Sequence, residues 1–105
     1  MTPEDWIAAG EIVDEMRGRG FFMACWSPGA VTNGRTFFQY PRWRVQFQRG
    51  AMEFAALIEA EGIGYGETFL EAVRVARDEA MPMLLEWERS YREANGVEPP
   101  LTGAE

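Results

Sequence analysis

The chain contains no histidine and no lysine, and its single cysteine is Cys25. Without histidine, nucleophilic catalysis by a histidine base is impossible. One cysteine can supply neither a zinc cluster nor an internal disulfide framework. Cys25 lies among apolar and aromatic residues, which predicts a small buried side chain rather than a reactive thiol. We therefore expect no enzyme, no metal site and no cofactor.

Long hydrophobic runs are also missing, so we expect no membrane-spanning segment, and acids near the N-terminus argue against a signal peptide. The 105 residues are 47% hydrophobic, with four Trp and seven Phe, which is enough material for one core. We expect a single domain over residues 1–96 and a flexible tail over residues 97–105. The lone cysteine favours a cytoplasmic location, in the host cell if the gene belongs to a virus or mobile element.

The net charge is −7, and all ten basic residues are arginine. The charge is uneven, because residues 21–50 carry four arginines and no acid. An acidic chain is repelled by nucleic acid phosphates and attracted to basic surfaces. The arginine-rich middle is a local exception to that balance.

Capping signals predict two helices. Thr2 can cap a first helix that begins at Pro3, and Gly18 can end it. A capping box at residues 68–71 predicts the start of a long second helix, which should continue past Pro82 and end at Gly96.

Period-two alternation predicts three antiparallel strands between the helices, over residues 21–26, about 36–48 and about 51–60. The first strand is apolar on both faces, which predicts a central or doubly covered position. If Arg49 and Gly50 form a turn, apolar residues meet in register, including Val45 opposite Phe54. The fold class is therefore α+β: a helix, a three-stranded antiparallel sheet and a long C-terminal helix (αβββα), in a single domain.

One face of this sheet should be buried against the helices. The expected core residues are Trp43, Val45, Phe47, Phe54 and Ile58, with Ile12, Met16, Phe69, Val73 and Ala76 packed on them. The glycine-rich residues 62–66 are predicted to be a loop. They lack the spacing of a dinucleotide-binding loop and the lysine of a phosphate-binding loop, so a flexible connection is the favoured interpretation.

Two sets of charged residues are candidate binding sites. The acidic set, which could present carboxylates to a basic partner, comprises Glu11, Asp14, Glu15, Glu53, Glu59, Glu61, Glu71 and Asp78. The alternatives are a solvated helix face, and cross-strand pairing of Glu53 with Gln46 and Arg44. The basic set on the polar sheet face comprises Arg42, Arg44 and Arg49, and a protein interface is favoured there. Nucleic acid binding is disfavoured, because RNA-binding sheets expose their aromatic residues, whereas Trp43 and Phe47 should be buried.

Several segments, in this order, resemble small phage proteins of the phage ABA sandwich kind. They are Trp43–Phe47, Gly64–Thr68 and Glu71–Ala80, preceded by the pattern of residues 6–21. The resemblance covers residues 5–81 and implies a phage or prophage origin with no catalytic residues. The element order also resembles a double-stranded-RNA-binding domain, but the second helix lacks that family's phosphate-gripping lysines.

We therefore expect a small acidic phage-type protein, resembling anti-CRISPR inhibitors, that binds a host nucleic-acid-binding defence complex through its carboxylates. One alternative is a structural or assembly module that acts as a homodimer, through its first strand or its long helix. Another is a nucleic acid binder that uses the arginine-bearing sheet face.

Overall fold

A computed structural model of the chain describes residues 1–32, 37–40, 42–50 and 58–99. The predicted fold class is confirmed, since a helix, a three-stranded antiparallel sheet and a long C-terminal helix form one small α+β domain. The elements are α1 (Pro3–Gly18), β1 (Phe22–Trp26), β2 (Gly29–Thr32), β3 (Phe37–Tyr40), β4 (Trp43–Gly50), β5 (Ile58–Gly66) and α2 (Phe69–Asn95). The main sheet has the order β1-β4-β5, while β2 and β3 form a separate hairpin. The single strand predicted over about 36–48 is therefore wrong, because its residues belong to two strands, β3 and β4, in different sheets.

Both helices begin and end as their capping signals predict. The Thr2 hydroxyl accepts a hydrogen bond from the Asp5 backbone N–H at 3.2 Å, and the Asp5 carboxylate accepts one from the Thr2 N–H at 3.1 Å. The Thr68 hydroxyl caps α2 by accepting from the backbone N–H of Glu71 at 3.2 Å. Helix α2 passes through Pro82 and ends at Gly96, whose φ of 70° is left-handed. At 1.5 Å per residue α2 is about 40 Å long. Neither helix in the described chain has the apolar length that a bilayer crossing requires.

The predicted register of the sheet is wrong. Strand β4 pairs with β5, so that Val45 lies opposite Gly64 rather than opposite Phe54. The predicted turn at Arg49 and Gly50 is wrong as well, because β4 continues through both residues. A register shift between them marks a bulge. Most of the predicted third strand, residues 51–57, lies outside the described residues, and so does Phe54.

Residues 62–66, predicted to be a loop, are the second half of β5. Their glycines face α2 and allow the helix to approach the strand closely. A β-carbon built on Gly62 or Gly64 would overlap a backbone carbonyl oxygen of α2, that of Ala76 or of Ala72. These glycines are therefore a packing surface for the small side chains of α2, and no phosphate-binding loop exists here.

Both helices pack on the sheet face that carries Val45 and Phe47. The buried apolar residues are Ala9, Ile12, Met16, Phe21, Val45, Phe47, Ala60, Leu70, Ala72, Val73, Ala76, Ala80 and Leu84. Trp43 and Phe69 are half-buried and close one end of this core together with Trp6, whose ring centroid lies 5.8 Å from that of Phe69. Six of the ten predicted core residues are buried, namely Ile12, Met16, Val45, Phe47, Val73 and Ala76, whereas Trp43, Ile58 and Phe69 are half-buried.

Strand β1 does not occupy the predicted central or doubly covered position. It is an edge strand that pairs only with β4 in the described part of the chain. Phe22 is 55% exposed, and Cys25, predicted to be buried, is exposed too. Partial burial still raises the pKa of the Cys25 thiol, which therefore stays protonated at neutral pH.

Candidate functional site

The main sheet leaves one face uncovered by either helix, and we call this the open face. Cross-strand pairing puts side chains from all three strands on it. The open-face residues are Phe22, Ala24 and Trp26 of β1, Arg44, Gln46 and Gln48 of β4, and Glu61, Ile63 and Tyr65 of β5. Aromatic and apolar side chains therefore flank a central polar strand.

Arginines and aromatic rings stack across this face. The Arg44 guanidinium lies 4.2 Å from the ring centroid of Trp26, and its Nε donates a hydrogen bond of 3.2 Å to the Tyr65 hydroxyl. The Arg42 guanidinium lies 5.1 Å from the centroid of the Tyr65 ring. Both distances allow cation–π attraction. Tyr65 is 47% exposed, so the stack presents arginine and aromatic surface to solvent.

The positions of the aromatic residues contradict the expectation that the polar face of the sheet exposes no aromatic side chains. Trp43 and Phe47 do face the helices as predicted, but Phe22, Trp26 and Tyr65 are aromatic and lie on the open face. The prediction missed Tyr65 because residue 65 was assigned to a loop. It missed Trp26 because β1 was expected to be covered. The period-two phase of Phe22, Ala24 and Trp26 is the sequence signal that identifies the β1 contribution.

Of the three predicted basic residues, Arg44 belongs to the open face and Arg42 packs on the Tyr65 ring of that face, whereas Arg49 lies elsewhere. The Arg49 side chain is only 2% exposed and lies on the helix side of the sheet, its guanidinium 4.7 Å from the ring centroid of Trp87 in α2. Its Nε lies 3.2 Å from the Glu59 carboxylate. The two groups form an ion pair without the alignment of a hydrogen bond. The structure therefore assigns Arg49 to the core, not to a binding surface.

The acidic candidates divide in a similar way. Glu11, Asp14 and Glu15 are exposed on α1, and Glu15 lies 3.5 Å from Arg19. Glu71 accepts a hydrogen bond from the Glu67 backbone N–H, and Asp78 pairs with Arg77; both carboxylates are exposed on α2.

Glu59 and Glu61, the two described acids of β5, lie on opposite faces of the sheet. Glu59 lies beside Arg49 on the helix side, and burial raises its pKa more than Arg49 lowers it. Glu61 accepts a hydrogen bond of 2.9 Å from the Gln46 amide on the open face. The residue opposite Gln46 is Ile63, not Glu53. Glu53 itself lies outside the described residues.

The end of α2 carries a cluster of paired charges. Arg89 pairs with Glu86 and, at 2.7 Å, with Glu93. The hydrogen bond from Arg89 lowers the pKa of Glu86. By contrast, Glu11 and Asp14 have no side-chain partner within the described residues. Glu11 and Asp14 of α1 are thus free carboxylates, while Glu86 and Glu93 near the end of α2 are already paired.

Comparison of the chain with family models, curated proteins and solved structures finds no match. Among the residues that the structure describes, no group of three or more histidine, cysteine or acidic side chains could hold a metal ion. The described side chains offer two surfaces suited to binding. They are the free carboxylates of α1 and the aromatic and arginine residues of the open face.

Proposed function

We propose that this chain is a non-enzymatic phage-type inhibitor that occupies the basic surface of a host nucleic-acid-binding defence complex. The observation that supports this proposal is the distribution of charge between the two sides of the sheet. The two helices lie on one side of the sheet and carry eleven acidic residues against five arginines, while Arg42 and Arg44 lie on the other side. An acidic face of this kind attracts basic partners and speeds their encounter.

Glu11 and Asp14 are the centre of the proposed contact. They lie three residues apart on α1, so their carboxylates project from neighbouring positions on one helix face. Arginine clusters that bind phosphates also accept carboxylates, because both anions offer paired oxygen acceptors. A protein that presents such a pair can therefore occupy a site meant for nucleic acid.

The experiment measures phage plaquing on bacterial strains that each carry one defined nucleic-acid-guided defence system. We expect expression of the wild-type chain to restore plaquing on at least one strain. Glu11→Gln with Asp14→Asn should reduce the restoration by about tenfold, since two charge-assisted contacts are lost. The matched control is Glu86→Gln with Glu93→Gln, which removes the same charge from side chains already paired with Arg89. No restoration on any strain, or an equal loss in both double variants, contradicts the proposal.

The open face favours a second candidate, which is binding of single-stranded nucleic acid. Exposed aromatic rings beside arginines form the kind of platform on which bases stack. With labelled oligonucleotides at low salt, Trp26→Ala should weaken binding by about tenfold, because stacking on one ring contributes about 1–3 kcal/mol. Trp6→Ala is the control, since Trp6 is exposed on the helix side. Absence of binding by the wild-type chain at low salt excludes this candidate.

The remaining alternative, a structural or assembly module, requires a surface on which two copies can meet. The edge of β1 is a candidate for that surface, because it is exposed and uncharged.

A further inference from the structure

The two edges of the main sheet differ in how they are protected. On β5, the backbone N–H of Ile63 donates to the Glu79 carboxylate of α2 at 3.2 Å, so a side chain occupies that edge. On β1, no described residue pairs with the outer edge. The strand has the sequence FMACW, with no charge and no proline. Natural proteins protect free strand edges with charged residues or proline, and an apolar edge without them is a template for another strand.

We propose that β1 pairs antiparallel with β1 of a second copy, about a two-fold axis at Ala24. A strand that pairs with its own copy must do so symmetrically, because the same surface serves both partners. Only an axis at the middle residue keeps all five residues of Phe22–Trp26 paired. In this register Phe22 lies opposite Trp26 of the copy, Met23 opposite Cys25, and Ala24 opposite Ala24.

This register also preserves the two faces of the sheet. Phe22 and Trp26 both lie on the open face, so each contact joins two aromatic rings, a favourable cross-strand pair. Met23 and Cys25 both lie on the helix side. Shifting the axis by one residue would leave two of the five residues without a partner in the other strand and would separate the rings.

The pattern of β1 indicates that the occupant is a second copy, because its residues match their own reversed order about Ala24, with ring opposite ring on one face and Met23 opposite Cys25 on the other. Each chain has a net charge of −7, which opposes association, but β1 itself adds no acidic residue to that repulsion. A mainly apolar groove of about 480 Å³ borders the same edge, and its walls include Val13 and Arg17 of α1 together with Phe21, Met23 and Phe47. A paired copy would lie along this groove and shield it from water.

The resulting dimer has a continuous six-stranded sheet. The open faces of the copies join, and the two stacks of Arg44 on Trp26 lie on either side of the axis. The strand pairing of the dimer is made by residues of β1, whereas the proposed inhibitor contact is made by Glu11 and Asp14 of α1, so the variants that test the two proposals change different residues. Either proposal can therefore fail alone.

The first test measures molar mass by light scattering and sedimentation over a range of concentrations. We expect twice the chain mass of 11.9 kDa at high concentration. Ala24→Glu places two like charges opposite each other and should raise the dissociation constant of the dimer by at least about tenfold. Val75→Glu, which adds the same charge at an exposed position of α2, should change it less than about twofold. Circular dichroism verifies that both variants fold. A monomer at every concentration, or equal effects of the two variants, overturns the proposal.

The second test fixes the register by cross-linking. In Ala24→Cys with Cys25→Ser, the two new thiols face each other at the distance a disulfide needs, and oxidation should link the chains. The wild-type chain is the control, because Cys25 lies about 8 Å from its own copy in this register, which is too far for a disulfide. Efficient linking of the variant and little of the wild type is the expected result. A dimer that links equally in both, or only in the wild type, overturns the register.

Discussion

Replacing Gly64 with alanine is expected to lower the free energy of unfolding by about 3 kcal/mol, at the upper end of the usual range for overpacking. The new β-carbon would overlap the carbonyl oxygen of Ala72 and lie 2.5 Å from the backbone nitrogen of Ala76. Both atoms belong to the helix backbone, which cannot rotate away as a side chain can. Helix α2 would have to move off β5, loosening the core along its length. Urea unfolding followed by circular dichroism measures the change.

Gly10 provides the matched control for this prediction. It is exposed in the middle of α1, and a β-carbon there would meet no atom within 4 Å. Gly10→Ala should therefore raise the free energy of unfolding by about 0.5–1 kcal/mol, because glycine is a poor helix residue. The same substitution thus has opposite signs at the two positions. A neutral Gly64→Ala would mean that β5 and α2 are not in such close contact.

Local chemistry made the helices predictable. Thr2 and Thr68 are caps whose partners lie three residues ahead, so the sequence alone contains both halves of each interaction. Gly96 ends α2 for the same local reason, since it adopts a left-handed conformation. The apolar spacing of residues 69–84 also identified the face of α2 that is buried. Features that depend on neighbours along the chain were therefore predicted well.

The pairing of β4 was not predictable in this way, because it depends on a partner distant in sequence. Alternating residues in 51–57 offered an apolar register for Val45 and Phe47, whereas the glycines of 62–66 favoured a loop. In the structure those glycines contact α2, and a side chain in their place would overlap the helix backbone at Ala72 and Ala76. Glycine in a strand can thus mark close packing by a helix.

The candidate site was predicted only where local alternation along a strand places its residues. Arg44 and Gln46 alternate with Val45 and Phe47, so their position on the open face followed from period two. Tyr65 joined that face only once β5 was known to include it. Arg49 was misplaced because a turn was assumed. Once β4 continues to Gly50, alternation puts Arg49 in phase with Phe47, on the helix side.

Replacing Arg49 with methionine is expected to lower the free energy of unfolding by about 3 kcal/mol at neutral pH. The substitution keeps much of the side-chain volume, but it leaves the Glu59 carboxylate without its cationic partner in a largely buried position. Removing one member of a buried ion pair is costly because the other charge loses its compensation. The double variant Arg49→Met with Glu59→Leu removes both charges and should be within about 1 kcal/mol of the wild type. A double variant as unstable as the single one would show that packing on Trp87, rather than charge, is what Arg49 contributes.

The pH dependence of the single variant provides an independent check. Burial already raises the pKa of Glu59 above its ordinary value, and Arg49 opposes that shift. Without Arg49 the pKa of Glu59 should rise further. A carboxyl group whose pKa is higher in the folded state favours folding while it is protonated, and that contribution is lost as pH rises through the raised pKa. The loss of unfolding free energy in Arg49→Met relative to the wild type should therefore be small at about pH 4 and largest at neutral pH. Urea unfolding at both pH values measures it. An equal deficit at both pH values would contradict a role for the Glu59 charge.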